Sequence, residues 1–199
     1  MKRWIWIGVD LGQRRDHSAI AVVERFYQHS TVQEFLHTGR DGQWWFHVRL
    51  LERIRRMTPY PDVVSRVKEI SELPQIVQTR TVVVDGTGVG APVVDLLRRS
   101  GMSCLINPII ITGGGRAHTA LRGGYESVPR SELLTAMQVI VQQGRLKVAG
   151  KSQESETLRR EMLGLKAAGP GSEPHDDLAL AVALALWKAR IGITIESRR

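Results

Sequence analysis

Cysteine is nearly absent from this 199-residue chain: Cys104 is the only one. A single thiol excludes an intramolecular disulfide and any zinc centre built from several thiolates. Within the apolar run Cys104-Leu105-Ile106 it reads as a small core residue. Long apolar runs are also missing. The longest, Leu178 to Trp187, is half of what a membrane span needs. Met1-Lys2-Arg3-Trp4 passes directly into a strand pattern, without the apolar region and cleavage site of a secretion signal. No membrane contact and a cytoplasmic location are expected. The phosphate loop Gly-x-x-x-x-Gly-Lys-Ser/Thr of a motor ATPase does not occur. Acidic residues are the minority charge, 20 against 28 Lys and Arg, for a net charge of +8. That balance favours a polyanionic partner, of which nucleic acid is the commonest.

Hydrophobic residues make up 42% and charged residues 24% of the chain, the balance of a globular protein with one sizeable core. Residues 4–9 and 18–24 read as buried strands joined by a polar, basic turn, and a third strand is expected around 31–37. Residues 39–58 are rich in Arg, Trp and Phe. Arg49, Arg53, Arg55 and Arg56 suit either a solvated helix face or phosphate contacts; Trp44, Trp45 and Phe46 suit packing better than base stacking, since duplex DNA exposes no base faces. A helix over 62–72, a strand over 81–84, a helix ending near Gly101 and a strand over 104–111 follow. After a glycine-rich basic loop, Ser131 is the expected N-cap of a helix over 132–143. An extended piece at 145–148 and helices over 153–164 and 176–190 complete the chain. Strands first, then alternation, then helices, with no linker, indicate one α/β domain over 1–199, its core about 4–190, with a mixed central sheet flanked by helices.

Acidic residues close or open the most apolar elements. Asp10 ends Trp4-Ile5-Trp6-Ile7-Gly8-Val9, Asp85 ends Val82-Val83-Val84, and Asp176-Asp177 open the helix from Leu178. Carboxylates at the ends of buried elements are costly to desolvate unless something pairs with them. Asp10 and Asp85 would stand at the carboxyl ends of neighbouring strands, the usual functional edge of an α/β sheet. The helix dipole favours the charge of Asp176 and Asp177. Gathered together, such carboxylates hold two hard divalent ions, Mg²⁺ or Mn²⁺, about 3.5–4 Å apart, the arrangement of two-metal phosphodiester hydrolysis.

Gly8-Val9-Asp10-Leu11-Gly12, Asp16-His17-Ser18-Ala19-Ile20, Val84-Asp85-Gly86-Thr87-Gly88-Val89-Gly90 and His175-Asp176-Asp177-Leu178-Ala179-Leu180-Ala181 occur in that order. Together with the Thr112-Gly113-Gly114 loop and the Val128-Pro129 helix entry, this series resembles the nuclease domain of phage terminase large subunits, within the RNase H-like superfamily. The resemblance implies an RNase H-like fold and metal-dependent endonucleolytic cleavage of double-stranded DNA during genome packaging. It implies catalytic and metal-binding roles for Asp10, Asp85, Asp176 and Asp177, with the division between the last two open. Asp16 and His175 would support those acids. Arg14 and Arg15 in the basic turn, with Arg116, His118 and Arg122 in the glycine-rich loop, are the candidate DNA contacts. An ATPase motor, a small terminase subunit and a portal would be partners; this chain carries no motor motif of its own.

Other readings compete. A Holliday-junction resolvase would share the fold and prefer junctions. An actin-like ATPase would use Asp10-x-Gly12 and Asp85-Gly86-Thr87-Gly88 as phosphate loops, but needs two lobes. Gly86-Thr87-Gly88-Val89-Gly90-Ala91 matches a loose dinucleotide fingerprint, yet Asp85 beside it would repel a pyrophosphate. A non-catalytic DNA-binding module would have no need of the acids. Glycine after Asp85 is expected to open space beside it.

Overall fold

Both faces of the first strand are apolar, and the rest of the chain is arranged to cover them. The computed structural model describes residues 4–12, 16–76, 79–88, 90–114, 124–167 and 176–196. β1 (Trp4–Asp10) pairs antiparallel with β2 (Ser18–His29) and parallel with β4 (Arg80–Asp85). β3 (Gly42–Ile54) runs antiparallel to β2, and β7 (Leu146–Val148) lies parallel beyond it. β5 (Leu105–Thr112) and β6 (Glu126–Pro129) extend the other side in parallel. The result is a mixed seven-stranded sheet in the order β6-β5-β4-β1-β2-β3-β7.

The two-residue period of a strand divides the core. Ile5, Ile7 and Val9 join Val82 and Val84 under α2 (Tyr60–Ser71) and α3 (Gly90–Arg99), which contribute Val63, Val67, Ile70, Val93 and Leu97. Trp6, Ala19, Ala21, Val83 and Ile109 face the other way, under α4 (Arg130–Gln142), α5 (Gln153–Ala167) and α6 (Asp177–Glu196). From Leu178 to Leu186 every residue of α6 is buried, as an all-apolar helix requires. Gly8 lets α6 approach β1: a Cβ there would collide with the Ala181 carbonyl oxygen. Arg25 is buried beside α6, its guanidinium 4.3 Å from the Trp44 ring centre and its Nη1 donating to the Ala189 carbonyl at 2.8 Å.

Four local expectations are corrected. Residues Val32–Thr38 form a helix, α1, rather than a third strand. Thr31 and Glu34 make a reciprocal capping box and Gly39 closes the helix in the left-handed conformation, so local hydrogen bonds outweigh the strand tendency. The third strand is instead β3, so Arg49 and Arg53 lie on a strand and not on a solvated helix face. Pro129, not Ser131, is the N-cap of α4, because the chain turns from β6 into the helix without a spacer. Finally, α6 continues to Glu196, past the expected end near 190. Phe46 is buried, and Trp44 packs edge-on against Trp4 and Tyr27, in keeping with packing roles. Among the described residues no helix is long and apolar enough to cross a membrane.

Candidate metal centre

Strand register brings the first two acids side by side. Val9 is paired with Val84, so Asp10 and Asp85, one step further, end adjacent parallel strands. Alternation turns both towards α6, since Trp6 and Val83 on the same parity pack beneath that helix. Asp10 is also paired with Ala19, and Ala19 with Arg53. Asp85, Asp10, Ala19 and Arg53 thus form one row across four strands. Ala19 keeps the row low where the first turn of α6 sits above it, and Asp177 Oδ2 accepts from Arg53 Nη2 at 3.0 Å.

The electrostatics reflect that crowding. The Asp10 carboxyl is held well above the usual carboxylate range, first by burial and then by repulsion from Asp85, Asp177, Asp176 and Asp16, in falling order. Burial also raises Asp85, against hydrogen bonds from Thr87. Asp176 is raised by burial, opposed by Arg130 and reinforced by Asp177. Asp16 is exposed and contributes the weakest of the four repulsions on Asp10.

Each acid has its own support. The Thr87 backbone N–H donates to Asp85 Oδ1 at 2.8 Å, and Thr87 Oγ1 accepts from Ile111 N at 2.8 Å, tying the turn to β5. The turn therefore caps itself with the same carboxylate that faces Asp10. The space over Gly86 is occupied rather than open: a Cβ there would lie 2.9 Å from the Tyr125 ring. Asp176 precedes α6, its carbonyl accepting from Leu180 N at 2.8 Å and its carboxylate paired with Arg130. Glu161, buried on α5, accepts from Ala179 N at 2.9 Å and from Arg53 Nη2 at 2.7 Å. Burial, opposed by the Ala179 N–H and Arg53, lifts its carboxyl to about 6.

Asp10, Asp85, Asp176 and Asp177 are therefore neighbours in space, with Asp16 at their edge. Arg14, Arg15, Arg116, His118, Arg122 and His175 lie outside the described residues. Arg130, Glu161 and Thr87 escaped sequence reasoning, and Arg53 was noticed only as one of a run of arginines. Glu161 carries no local signal, because its partners are distant in the chain.

Among the described residues no three His, Cys, Asp or Glu side chains form a ready-made cage for one ion. Instead, Asp176 and Asp177, at the start of α6, are each engaged by an arginine, while among the described residues every influence on Asp10 is burial or negative charge. A purely oxygen donor set, with no described cation acting on Asp10 at its centre, fits a hard divalent cation and not a soft one.

No protein-family model matches the sequence, and no curated protein matches it. Solved structures do. The large terminase nuclease from thermophilic phage G20c with bound zinc is 20% identical, covers 92% of this chain and 80% of its own, and has a TM-score of 0.54. The human cytomegalovirus terminase nuclease domain, soaked with manganese, covers 92% and 83%, with 14% identity and a TM-score of 0.56. A mutant nuclease domain of the large terminase subunit gp2 of bacterial virus Sf6, with manganese and beta-thujaplicinol, covers 92% and 87%, with 13% identity and a TM-score of 0.58. Over nearly its whole length the chain shares the RNase H-like fold of these viral terminase nuclease domains.

Proposed function

We propose that this protein is a metal-dependent endonuclease that hydrolyses phosphodiester bonds of double-stranded DNA. The observation that carries the reading is the convergence of Asp85 from β4 and of Asp176 and Asp177 from the start of α6 on buried Asp10 of β1, whose carboxyl is raised by burial and by all three. Structural ion-pair networks normally balance such charge; among the described residues none does so at Asp10. Bound at this centre, two Mg²⁺ or Mn²⁺ ions would supply a lowered pKa for the attacking water and charge stabilisation for the leaving oxygen. Asp10 would serve as the shared ligand, and Asp85, fixed by the Thr87 turn, as its partner. Asp177 weighs more heavily on Asp10 than Asp176 does, which supports Asp177 as the principal acid of α6 and Asp176 as its assistant. Asp16 would act at the rim.

The likeness to terminase nuclease domains supports viral genome packaging as the setting. An ATPase motor, a small terminase subunit and a portal would then be the partners. The net charge of +8 supports DNA as the substrate, since phosphate neutralisation dominates affinity for duplexes.

The test is cleavage of supercoiled and linear duplex DNA with Mg²⁺ or Mn²⁺, with a four-way junction alongside. The expected result is metal-dependent nicking or cutting of duplex that Asp10→Asn and Asp85→Asn abolish without loss of fold. Full activity in either variant would sink the assignment, and cleavage confined to junctions would move it to a resolvase.

A further inference from the structure

The acids of the proposed centre account for only part of the charge around it. Arg53 donates from one nitrogen, Nη2, to two carboxylates at once: Asp177 at 3.0 Å and Glu161 at 2.7 Å. Its Nε is buried without a hydrogen-bond partner among the described residues. Both carboxylate side chains are nearly enclosed, 10% exposed for Asp177 and 5% for Glu161. The guanidinium is therefore held by these two groups, at short range and in a setting where each ion pair is strong. Glu161 is fixed independently of Arg53, because its other oxygen accepts from Ala179 N in the first turn of α6.

An arginine on Asp177 and a divalent cation on Asp177 compete for the same negative charge. Resting on the metallonuclease reading, we propose that Arg53 is the resident counter-cation of Asp177 in the ion-free protein. Glu161 is the positioning residue that keeps Arg53 when an ion takes Asp177 over. Arg53 needs no new partner and no large movement for this exchange: it already binds Glu161 and has only to relinquish the longer of its two bonds. Glu161, anchored to the α6 backbone, stays in place throughout. In the ion-free protein Asp177 thus keeps a built-in counter-charge, as Asp176 does in Arg130, and the charge of Arg53 is withdrawn sideways rather than expelled into solvent.

The experiment is a Mn²⁺ titration, read as free Mn²⁺ by electron paramagnetic resonance and not as activity. It uses the full chain with a short DNA duplex present. Glu161→Gln keeps an acceptor for Ala179 N but loses the charged hold on Arg53; Mn²⁺ binding should weaken about tenfold, the lower end for a residue that orients a metal ligand. Arg53→Gln removes the competitor and should tighten binding by several-fold. The decisive arm is the double variant. If Glu161 acts through Arg53, Glu161→Gln has no further effect in the Arg53→Gln background; if it merely adds negative charge nearby, its effect is equal in both backgrounds. Equal effects overturn the proposal. Arg53→Gln that binds Mn²⁺ no better than wild type also overturns it, and this arm stands even if Glu161→Gln fails to fold. Wild-type binding that Asp10→Asn abolishes, with Glu161→Gln unchanged, defeats this inference alone. No Mn²⁺ binding by wild type defeats the metallonuclease reading with it.

Discussion

Asp10→Asn removes charge from the most crowded point of the molecule while leaving its shape nearly unchanged. In the ion-free protein the carboxylate is 9% exposed and is repelled by Asp85, Asp177, Asp176 and Asp16. Among the described residues no cation opposes that repulsion directly, because Arg53 and Arg130 are spent on Asp177 and Asp176. Asparagine ends the repulsion, and its amide can donate to a neighbouring carboxylate. A single stabilising substitution that improves the charge balance commonly adds about 0.5–2 kcal/mol. For a domain of this length each kcal/mol moves the melting temperature by about 2–4 °C, so an increase of about 1–8 °C is expected. The assay is thermal unfolding by circular dichroism at pH 7 with a chelator. Adding millimolar Mn²⁺ should then raise the wild-type midpoint, because an ion that binds only the folded state stabilises it, and should raise that of the variant little. A variant that melts at or below the wild-type temperature in chelator would refute the reasoning. It would mean that Asp10 is compensated and that the charge imbalance is not real.

Two further outcomes follow from the same geometry. Glu161, Asp10, Asp85 and Asp176 all hold protons more tightly when folded than their ordinary values allow. At these four carboxyls the folded state binds more protons than the unfolded one, so their contribution to ion-free stability falls as pH rises, while His47, lowered by burial, contributes in the opposite sense. For Glu161 the loss begins near 4.5 and is complete above about 6, so ion-free wild type should melt higher at pH 5 than at pH 7. The gain should shrink in Glu161→Gln, and a gain unchanged in that variant would contradict its assignment. Gly8→Ala places a methyl group against the Ala181 carbonyl and 3.1 Å from Ala185 N. Overpacking of this kind costs about 1–3 kcal/mol; urea denaturation should show that loss, and an unchanged midpoint would mean that α6 does not lie so close to β1.

The frame of the fold was legible because it rests on local pattern. The apolar runs at 4–9 and 82–84 could only be buried strands, and the run from Leu178 was too uniformly apolar for a surface helix. The placing of Asp10 and Asp85 side by side followed directly, since adjacent parallel strands end at the same edge of the sheet. What was missed depends on distant partners or on local competition. Thr31-x-x-Glu34 is a readable capping box, and it outweighs the strand tendency of the residues around it. β6 is four residues long and is defined by pairing with β5, not by its own sequence. Arg53 meets Glu161 across 108 residues and Asp177 across 124, so nothing near Arg53 announces its role. The run Arg49, Arg53, Arg55, Arg56 suggested one surface, and alternation alone would put Arg49 and Arg53 on one face; the register shift between Val22 and Val23, opposite Arg49, separates them, so Arg49 pairs with buried Glu24 at 2.5 Å whereas Arg53 enters the acid cluster.

The account stands on one claim, that acids from three separate elements form a single ion-binding centre around Asp10. Anomalous diffraction from crystals grown with Mn²⁺ and a short DNA duplex tests it most directly. The account predicts manganese peaks touching both Asp10 and Asp85, with Asp177 on the same cluster and no peak there in Asp10→Asn. Manganese bound elsewhere, or no peak between Asp10 and Asp85 at saturating Mn²⁺, would contradict it.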